Sequence, residues 1–239
     1  MTLEEKVRSY TPSDESKEIV KSTKIVLLVG PIGVGKTELK NKLLSTNNYH
    51  HIISHTTRSP RYNHGQLEQD GQEYHFINLS QAEAMLDNHQ FIEAKYINSN
   101  IYGTSISEIE QAKTEHKIAI TDVDVQGVGE YKDIDKNVKA IFLVPPDFKT
   151  WQERIEKRHG DEVKVEDYAQ RLRIGLNEFN ELLTTDHFIA LINQDMRETL
   201  NALSKITTSD KLEPVDDSHA REVAKKLSED IKTYLKNIT

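Results

Sequence analysis

The stretch "LLVGPIGVGKTEL", residues 27–39, constrains this chain more than any other: an apolar run breaks into a glycine-rich turn, ends in lysine and threonine, and opens a helical pattern. Gly30 and Gly35 frame the spacing G-x-x-x-x-G-K-[ST], completed by Lys36 and Thr37. With Pro31, Ile32, Gly33 and Val34 they form a loop whose backbone N–H groups can converge on phosphate oxygens, and the following helix adds the positive end of its dipole. In such a loop the lysine reaches the β- and γ-phosphates and the Thr37 hydroxyl ligates Mg2+. A plain turn between strand and helix accounts for the glycines but not for Lys36-Thr37, whereas Leu39 and Leu43 on one helical face supply the context the phosphate loop requires. The motif therefore predicts a nucleoside triphosphate site. It leaves open whether the γ-phosphate passes to water or to an acceptor.

Further short apolar runs lie at Ile25–Val29, Ile118–Ile120, Ala140–Val144 and Phe188–Ile192. They are continuous rather than alternating, as in parallel strands buried on both faces, and the segments between them suit crossover helices. An α/β fold with a central parallel sheet flanked by helices follows. The segment from Tyr62 to Tyr74 is polar and glycine-punctuated and reads as a mobile, loop-rich insertion. Residues 151–180 read as two helices joined by a charged turn at His159-Gly160. Near the end, Asp217-Ser218 is a candidate N-cap for a helix whose apolar face runs through Ala220, Val223, Ala224, Leu227, Ile231, Leu235 and Ile238, able to pack on the core or on a second copy.

With 31 basic against 39 acidic residues the formal charge is −8, a field that repels nucleic acid and anionic membranes, so a phosphate ligand must be met by a local basic cluster. No cysteine is present, which removes thiolate nucleophiles and zinc-thiolate sites. No apolar run approaches the roughly 18 residues of a membrane helix, and residues 1–22 lack a secretory core. A cytoplasmic location is expected, with neither a nucleic-acid nor a membrane partner.

"GPIGVGKT" at 30–37, "SHTTRSPR" at 54–61, "EQDGQEYHF" at 68–76, "FIEA" at 91–94, "NIYGTS" at 100–105 and "TDVDVQG" at 121–127 fall in the order and approximate spacing of guanylate kinases. The resemblance runs from about Lys24 to about Leu203. It implies a P-loop kinase domain over residues 23–204, with a GMP-binding insertion near 56–112 and a helical lid near 150–178. Residues 1–22 and 205–239 would then be extensions.

The implied reaction moves the γ-phosphoryl group of ATP to GMP with Mg2+, by a monomer or homodimer. Two polyanions must be brought end to end, and Ser54, Arg58, Arg61, Tyr74 and Tyr102 match the family positions that hold the acceptor phosphate. Guanidinium forks bind phosphate oxygens bidentately and stay charged. Glu68 matches the family's acid three residues before Gly71. Glu93 with Thr104 matches the pair that reads guanine: a carboxylate accepts from N1–H and the N2 amine, whereas adenine offers a bare acceptor there.

By the same resemblance Asp122 lies near metal and phosphates, with Thr37 as the second metal ligand, while Asp124 faces the acceptor nucleotide. Arg154, Arg158 and Arg171 match lid arginines that, with Lys36 and Arg58, neutralise the transferring group. Asn193 falls beside the donor nucleotide. Two departures stand out. Ile32 occupies a position where the family usually has serine, and the loop from Arg61 to Gly71 is longer than the family's turn. His50, His51, His55 and His64 lack the helical i, i+4 spacing of zinc enzymes and read as surface or packing residues. Two rival readings are a catalytically silent module that binds a protein through the same cleft, and a kinase for another small phosphorylated acceptor.

Overall fold

The computed structural model describes residues 2–63, 65–159, 165–209 and 215–238. Helices Leu3–Arg8 (α1) and Asp14–Lys21 (α2) precede strand Ile25–Val29 (β1) and helix Lys36–Leu44 (α3). Strands Tyr49–His51 (β2), His55–Thr56 (β3), Tyr62–Asn63 (β4), Gln66–Leu67 (β5) and His75–Phe76 (β6) follow. Next come helix Leu79–Asp87 (α4), strands Phe91–Ile97 (β7) and Asn100–Ser105 (β8), and helix Ile106–Thr114 (α5). The remainder alternates: Ile118–Asp122 (β9), Val125–Ile134 (α6), Lys139–Val144 (β10), Phe148–His159 (α7), Val165–Thr184 (α8), Phe188–Ile192 (β11), Met196–Thr208 (α9) and Ser218–Asn237 (α10).

The chain divides into two compact units. The first comprises residues 1–25, 47–121 and 133–136; the second comprises 26–46, 122–132 and 137–239. Parallel strands form the central sheet expected from the apolar runs. In the second unit their order is β11-β10-β1, with Val26–Val29 of β1 in register with Lys139–Phe142. Every residue of β1 and β10 is buried, so the unbroken apolar runs are strands covered on both faces. Here α10 packs against α8, α7, β10 and β11, and Ala220, Ala224, Leu227 and Ile231 are buried. The apolar face of the last helix is thus used within its own chain.

Asp217 does sit at the N-cap of α10, but its side chain makes no cap bond. Its carboxylate instead accepts the Ala190 N–H at 2.9 Å and pairs with Arg221 Nε at 3.0 Å, while Asp216 takes the Ser218 N–H at 3.1 Å. The Arg221 guanidinium also donates to the carbonyls of Leu182 and Phe188, at 2.5 and 2.9 Å. Carbonyls left open at the end of α8 are satisfied this way, tying α10 to the helix and strand beside it.

The first unit carries a parallel β2/β9 pair and a four-stranded sheet in the order β6-β3-β8-β7, antiparallel at β3/β8 and β7/β8. The polar 62–74 segment is loop-rich apart from two two-residue strands. Tyr62 pairs with Leu67 and Asn63 with Gln66 in a β4/β5 hairpin, and Gly65 takes the left-handed conformation (φ 78°) that such a tight reversal requires. Residues 2–22 also carry structure, in α1 and α2. Thr2 and Glu5 form a capping box on α1, Ser13 caps α2, and Val7 and Val20 are buried.

Candidate active site

In the second unit the phosphate loop joins β1 to α3 as the sequence motif requires. Gly30 has φ 129°, and a Cβ there would stand 2.5 Å from the Leu143 carbonyl oxygen. Gly35, the N-cap of α3, has φ 92°, and a Cβ would meet Asn193 Nδ2 at 2.6 Å. Glycine is therefore demanded at both positions by conformation and by space. As N-cap, Gly35 offers no side chain to the first-turn N–H groups, which suits a helix end that receives an anion.

A cleft of 490 Å³ opens over this loop, lined by Gly33, Val34, Gly35, Lys36 and Thr37 together with Arg154, Asn193 and Met196 from the surrounding elements. Asn193 is buried and braces the loop: its Nδ2 donates to the Val34 carbonyl at 2.7 Å. Arg154, on α7, donates to the Asn193 carbonyl at 2.9 Å, which aligns its guanidinium beside the loop. Ile32 contributes through its backbone, since its carbonyl accepts the indole N–H of Trp151 at 2.7 Å. The loop is thus held from outside by a fully buried tryptophan.

The Lys36 ammonium donates to the carbonyls of Gly30 and Pro31, folded back on its own loop. Asp122, at the end of β9, forms an ion pair with Lys40, a buried lysine one turn further along α3 that the motif reading did not single out. Asp124 accepts the Gly127 N–H at 2.7 Å in the first turn of α6. Arg171 lies half-buried on α8 and is not among the residues lining the cleft. The side chain of Arg158, the turn at Gly160 and His64 lie outside the described residues.

Glu178, also on α8, was missed in the sequence because a lone acid on a helix gives no signal. Its Oε2 is buried with no hydrogen-bond partner. Burial pushes its pKa up from the ordinary 4.5 to about 7, opposed by the Lys36 ammonium and reinforced by Asp124. The folded chain therefore holds a proton that the unfolded chain releases from pH 4.5 upward, so stability falls as pH rises through 7 and is unaffected below 4.5. Glu178→Gln removes that loss. The difference in unfolding free energy between variant and parent should grow by about 3 kcal/mol from pH 4.5 to 8, measured by urea denaturation of nucleotide-free protein.

In the first unit Arg58 is buried and its guanidinium forks onto Glu68, with Nη1 at 2.8 Å and Nη2 at 3.1 Å from the two carboxylate oxygens. The ring of Tyr74 lies 5.3 Å from the guanidinium carbon and that of Phe76 lies 5.9 Å away, while the Tyr74 and Tyr102 rings stand 5.9 Å apart. Hydrogen bonding to Arg58 lowers the Glu68 pKa, and the same bond raises that of Arg58. Glu68 also accepts the Arg61 N–H at 2.9 Å, and the Arg61 carbonyl accepts the Glu68 N–H at 2.9 Å. The paired Arg61 and Glu68 thus close the base of the β4/β5 hairpin and bring Glu68 to Arg58. Arg61 itself is exposed.

Glu93 on β7 and Thr104 on β8 are cross-strand partners, and the Thr104 hydroxyl donates to Glu93 Oε1 at 2.9 Å. Ser54 Oγ lies 3.5 Å from the same hydroxyl. A β-bulge between Phe91 and Glu93 sets which way the carboxylate faces. Below this group Glu108 accepts the Ile53 N–H at 2.9 Å and meets His75 Nε2 at 3.0 Å. The His55 and His75 rings stand 4.7 Å apart, and burial followed by His75 lowers the His55 pKa to about 4. His55 is therefore a neutral packing residue at neutral pH.

The family model described as guanylate kinase matches residues 22–210. A guanylate kinase of Schizosaccharomyces pombe is 32% identical over 198 residues, covering 82% of this chain and 95% of that protein. One from Cupriavidus metallidurans is 32% identical over 189 residues, covering 79% and 84%. Guanylate kinase 1 of Oryza sativa subsp. japonica is 32% identical over 190 residues, but the match spans only 48% of that longer protein. In three dimensions a crystal structure of guanylate kinase from Anaplasma phagocytophilum superposes with a TM-score of 0.56 at 23% identity, covering 82% of this chain and 90% of that one, a likeness of fold. Among the described residues no helix is long and apolar enough to cross a membrane. The match of the family model over residues 22–210 and relatives 32% identical over most of the chain make it a member of the guanylate kinase family, ATP-dependent nucleoside monophosphate kinases.

Proposed function

We propose that the chain transfers the γ-phosphoryl group of ATP to GMP, giving ADP and GDP, with a domain over residues 23–204, an acceptor-binding insertion near 56–112 and a lid near 150–178. The observation that carries this reading is the Glu93–Thr104 pair, a carboxylate oriented by a hydroxyl across two strands. Guanine offers N1–H and an N2 amine side by side, so it pairs with such a carboxylate where adenine would leave it facing a lone pair.

On the donor side, the loop amides of residues 30–37 cradle the triphosphate, and the Lys36 ammonium moves from its own loop carbonyls to the phosphate oxygens. Arg154, with Arg158 and Arg171, brings guanidinium charge to the transferring phosphoryl group and excludes water from it. On the acceptor side, Arg58, Arg61, Tyr74, Tyr102 and Ser54 hold the GMP phosphate, whose oxygens are already ionised at neutral pH, so no general base is required. Glu68 keeps the Arg58 fork aimed until phosphate arrives. Asp124 contacts the acceptor nucleotide and Asn193 the donor.

The donor set suits Mg2+ as kinases use it. A hard cation of this kind takes one or two protein oxygens and fills its shell with substrate phosphates and water, and the Thr37 hydroxyl lining the cleft with the Asp122 carboxylate at the end of β9 supplies those two. When bound, the ion neutralises and orients the phosphates. We read the chain as a cytoplasmic enzyme, monomeric or homodimeric.

A coupled assay of ADP release with GMP, AMP, CMP and UMP tests the assignment. GMP should be preferred by about 10²-fold or more in kcat/KM. Preference for any other base overturns it.

A further inference from the structure

We infer that Tyr10, in the N-terminal segment before the matched span, is a positioning residue for recognition of the acceptor base, acting on the carboxylate of Glu93 through the backbone of β7. The inference rests on the GMP assignment above and concerns residues 2–21, which lie outside the span matched by the family model.

The Tyr10 hydroxyl makes two bonds to one residue. It donates to the Phe91 carbonyl at 2.6 Å and accepts the Phe91 N–H at 3.0 Å. Phe91 is where β7 begins, and the bulge follows at once: Phe91 pairs with Ser105, but Glu93 pairs with Thr104, leaving Ile92 as the extra residue. A bulge re-aims the side chain that follows it and weakens the ladder that would otherwise fix its geometry. Here one phenol holds both backbone groups at the entrance to the bulge, two residues before the carboxylate that reads the base. The ring also packs edge-on against Phe91, with centroids 6.3 Å apart, and lies 5.9 Å from His89.

The turn leading into β7 is gripped by the same segment. His89 has φ 52°, a conformation disfavoured for residues with a side chain. Its ring Nδ1 lies 3.0 Å from the Thr11 carbonyl, its own carbonyl accepts from Ser16 Oγ at 3.3 Å, and Lys6 pairs with Asp87 at 2.5 Å. Val7 of α1 is buried with Leu86, Phe91 and Ile101. The contacts from α1 to α2 thus converge on residues 86–91. Ordinary anchoring of a terminus needs burial of Val7 and no more. A hydroxyl spanning both main-chain groups of a bulge residue adds directional control of the strand bearing Glu93.

Tyr10→Phe removes the hydroxyl and keeps the ring, so it separates positioning from packing. Steady-state kinetics on the full chain, with a melting curve for each protein, should show KM for GMP raised about five- to tenfold, the equivalent of one or two hydrogen bonds. Both kcat and KM for ATP should stay within about twofold, because the donor residues are untouched. Inosine monophosphate, which lacks the N2 amine and so engages the carboxylate through one donor only, should lose less than GMP does. A Tyr10→Phe protein with unchanged KM for GMP overturns the inference, whether or not its melting point falls. So does an equal rise for GMP and inosine monophosphate, or a loss shared equally with ATP. If the parent protein turns over GMP normally in these cases, the acceptor assignment stands and only the role of Tyr10 falls; if the parent does not phosphorylate GMP, both fall.

Discussion

Replacing Lys36 by alanine should lower kcat by about 10²- to 10³-fold, the loss typical of removing one well-placed donor to developing negative charge. The ammonium stands on the loop that lines the donor cleft and is held there by the carbonyls of Gly30 and Pro31. Those carbonyls are weaker partners than phosphate oxygens, so the transfer to ATP is favourable and the charge follows the phosphate into the transition state. Because Lys36 is one of the groups facing Glu178, its removal should also raise the pKa of that acid further. Rapid-quench kinetics with saturating ATP and GMP measures the first effect, and the pH dependence of unfolding measures the second. A silent protein-binding module built on the same fold would lose no cellular function on this substitution. A kinase would lose nearly all of it.

Replacing Glu93 by glutamine should cost about 10² in kcat/KM for GMP and narrow the preference over AMP, with KM for ATP unchanged. The carboxylate presents acceptors alone, matching two guanine donors, and each bond to a charged group is worth roughly 1.5–3 kcal/mol. The amide turns one acceptor into a donor, which opposes one guanine N–H and suits the bare N1 of adenine. Thr104 holds the carboxylate at 2.9 Å, so the substituted group cannot escape the mismatch by free rotation. Competition between GMP and AMP in one reaction reads the ratio directly. An unchanged ratio would remove Glu93 from base selection.

The distribution of charge explains how an acidic protein accommodates these ligands. A formal charge of −8 works against polyphosphate binding at long range. Locally, the cations that matter are held by protein oxygens: Lys36 by loop carbonyls, Lys40 by Asp122, Arg58 by Glu68 and Arg154 by the Asn193 carbonyl. Each is oriented before a ligand arrives, which lowers the ordering cost of binding. Each also has a partner that phosphate must displace.

Much of the architecture was legible from the order of residues. The loop at 30–37 declares itself because glycine, lysine and threonine at fixed spacing are needed for one geometry, and continuous runs such as Ala140–Val144 suit strands buried on both faces, as in a parallel sheet. The 62–74 segment reads as loop-rich because its composition is polar and glycine-punctuated, and it carries only the short β4/β5 hairpin. Its pairing depends on a two-strand register and on Gly65, signals too short to stand out. Residues 1–22 lack an apolar run long enough for a secretory core and read as an extension. Two short capped helices become stable there only by burying Val7 and Val20 against the rest of the first unit.

What the sequence determined on its own was local: the phosphate loop, the apolar strands and the helices that follow them, all encoded within a dozen residues or so by backbone geometry and periodicity. What only the tertiary structure decided was which distant groups meet. Tyr10 reaches Phe91, Trp151 reaches Ile32, and Glu178 is stripped of water beside Lys36. The physical reason is that burial, and with it the strength of every charge and hydrogen bond, is a property of the surrounding packed atoms and not of the residue itself.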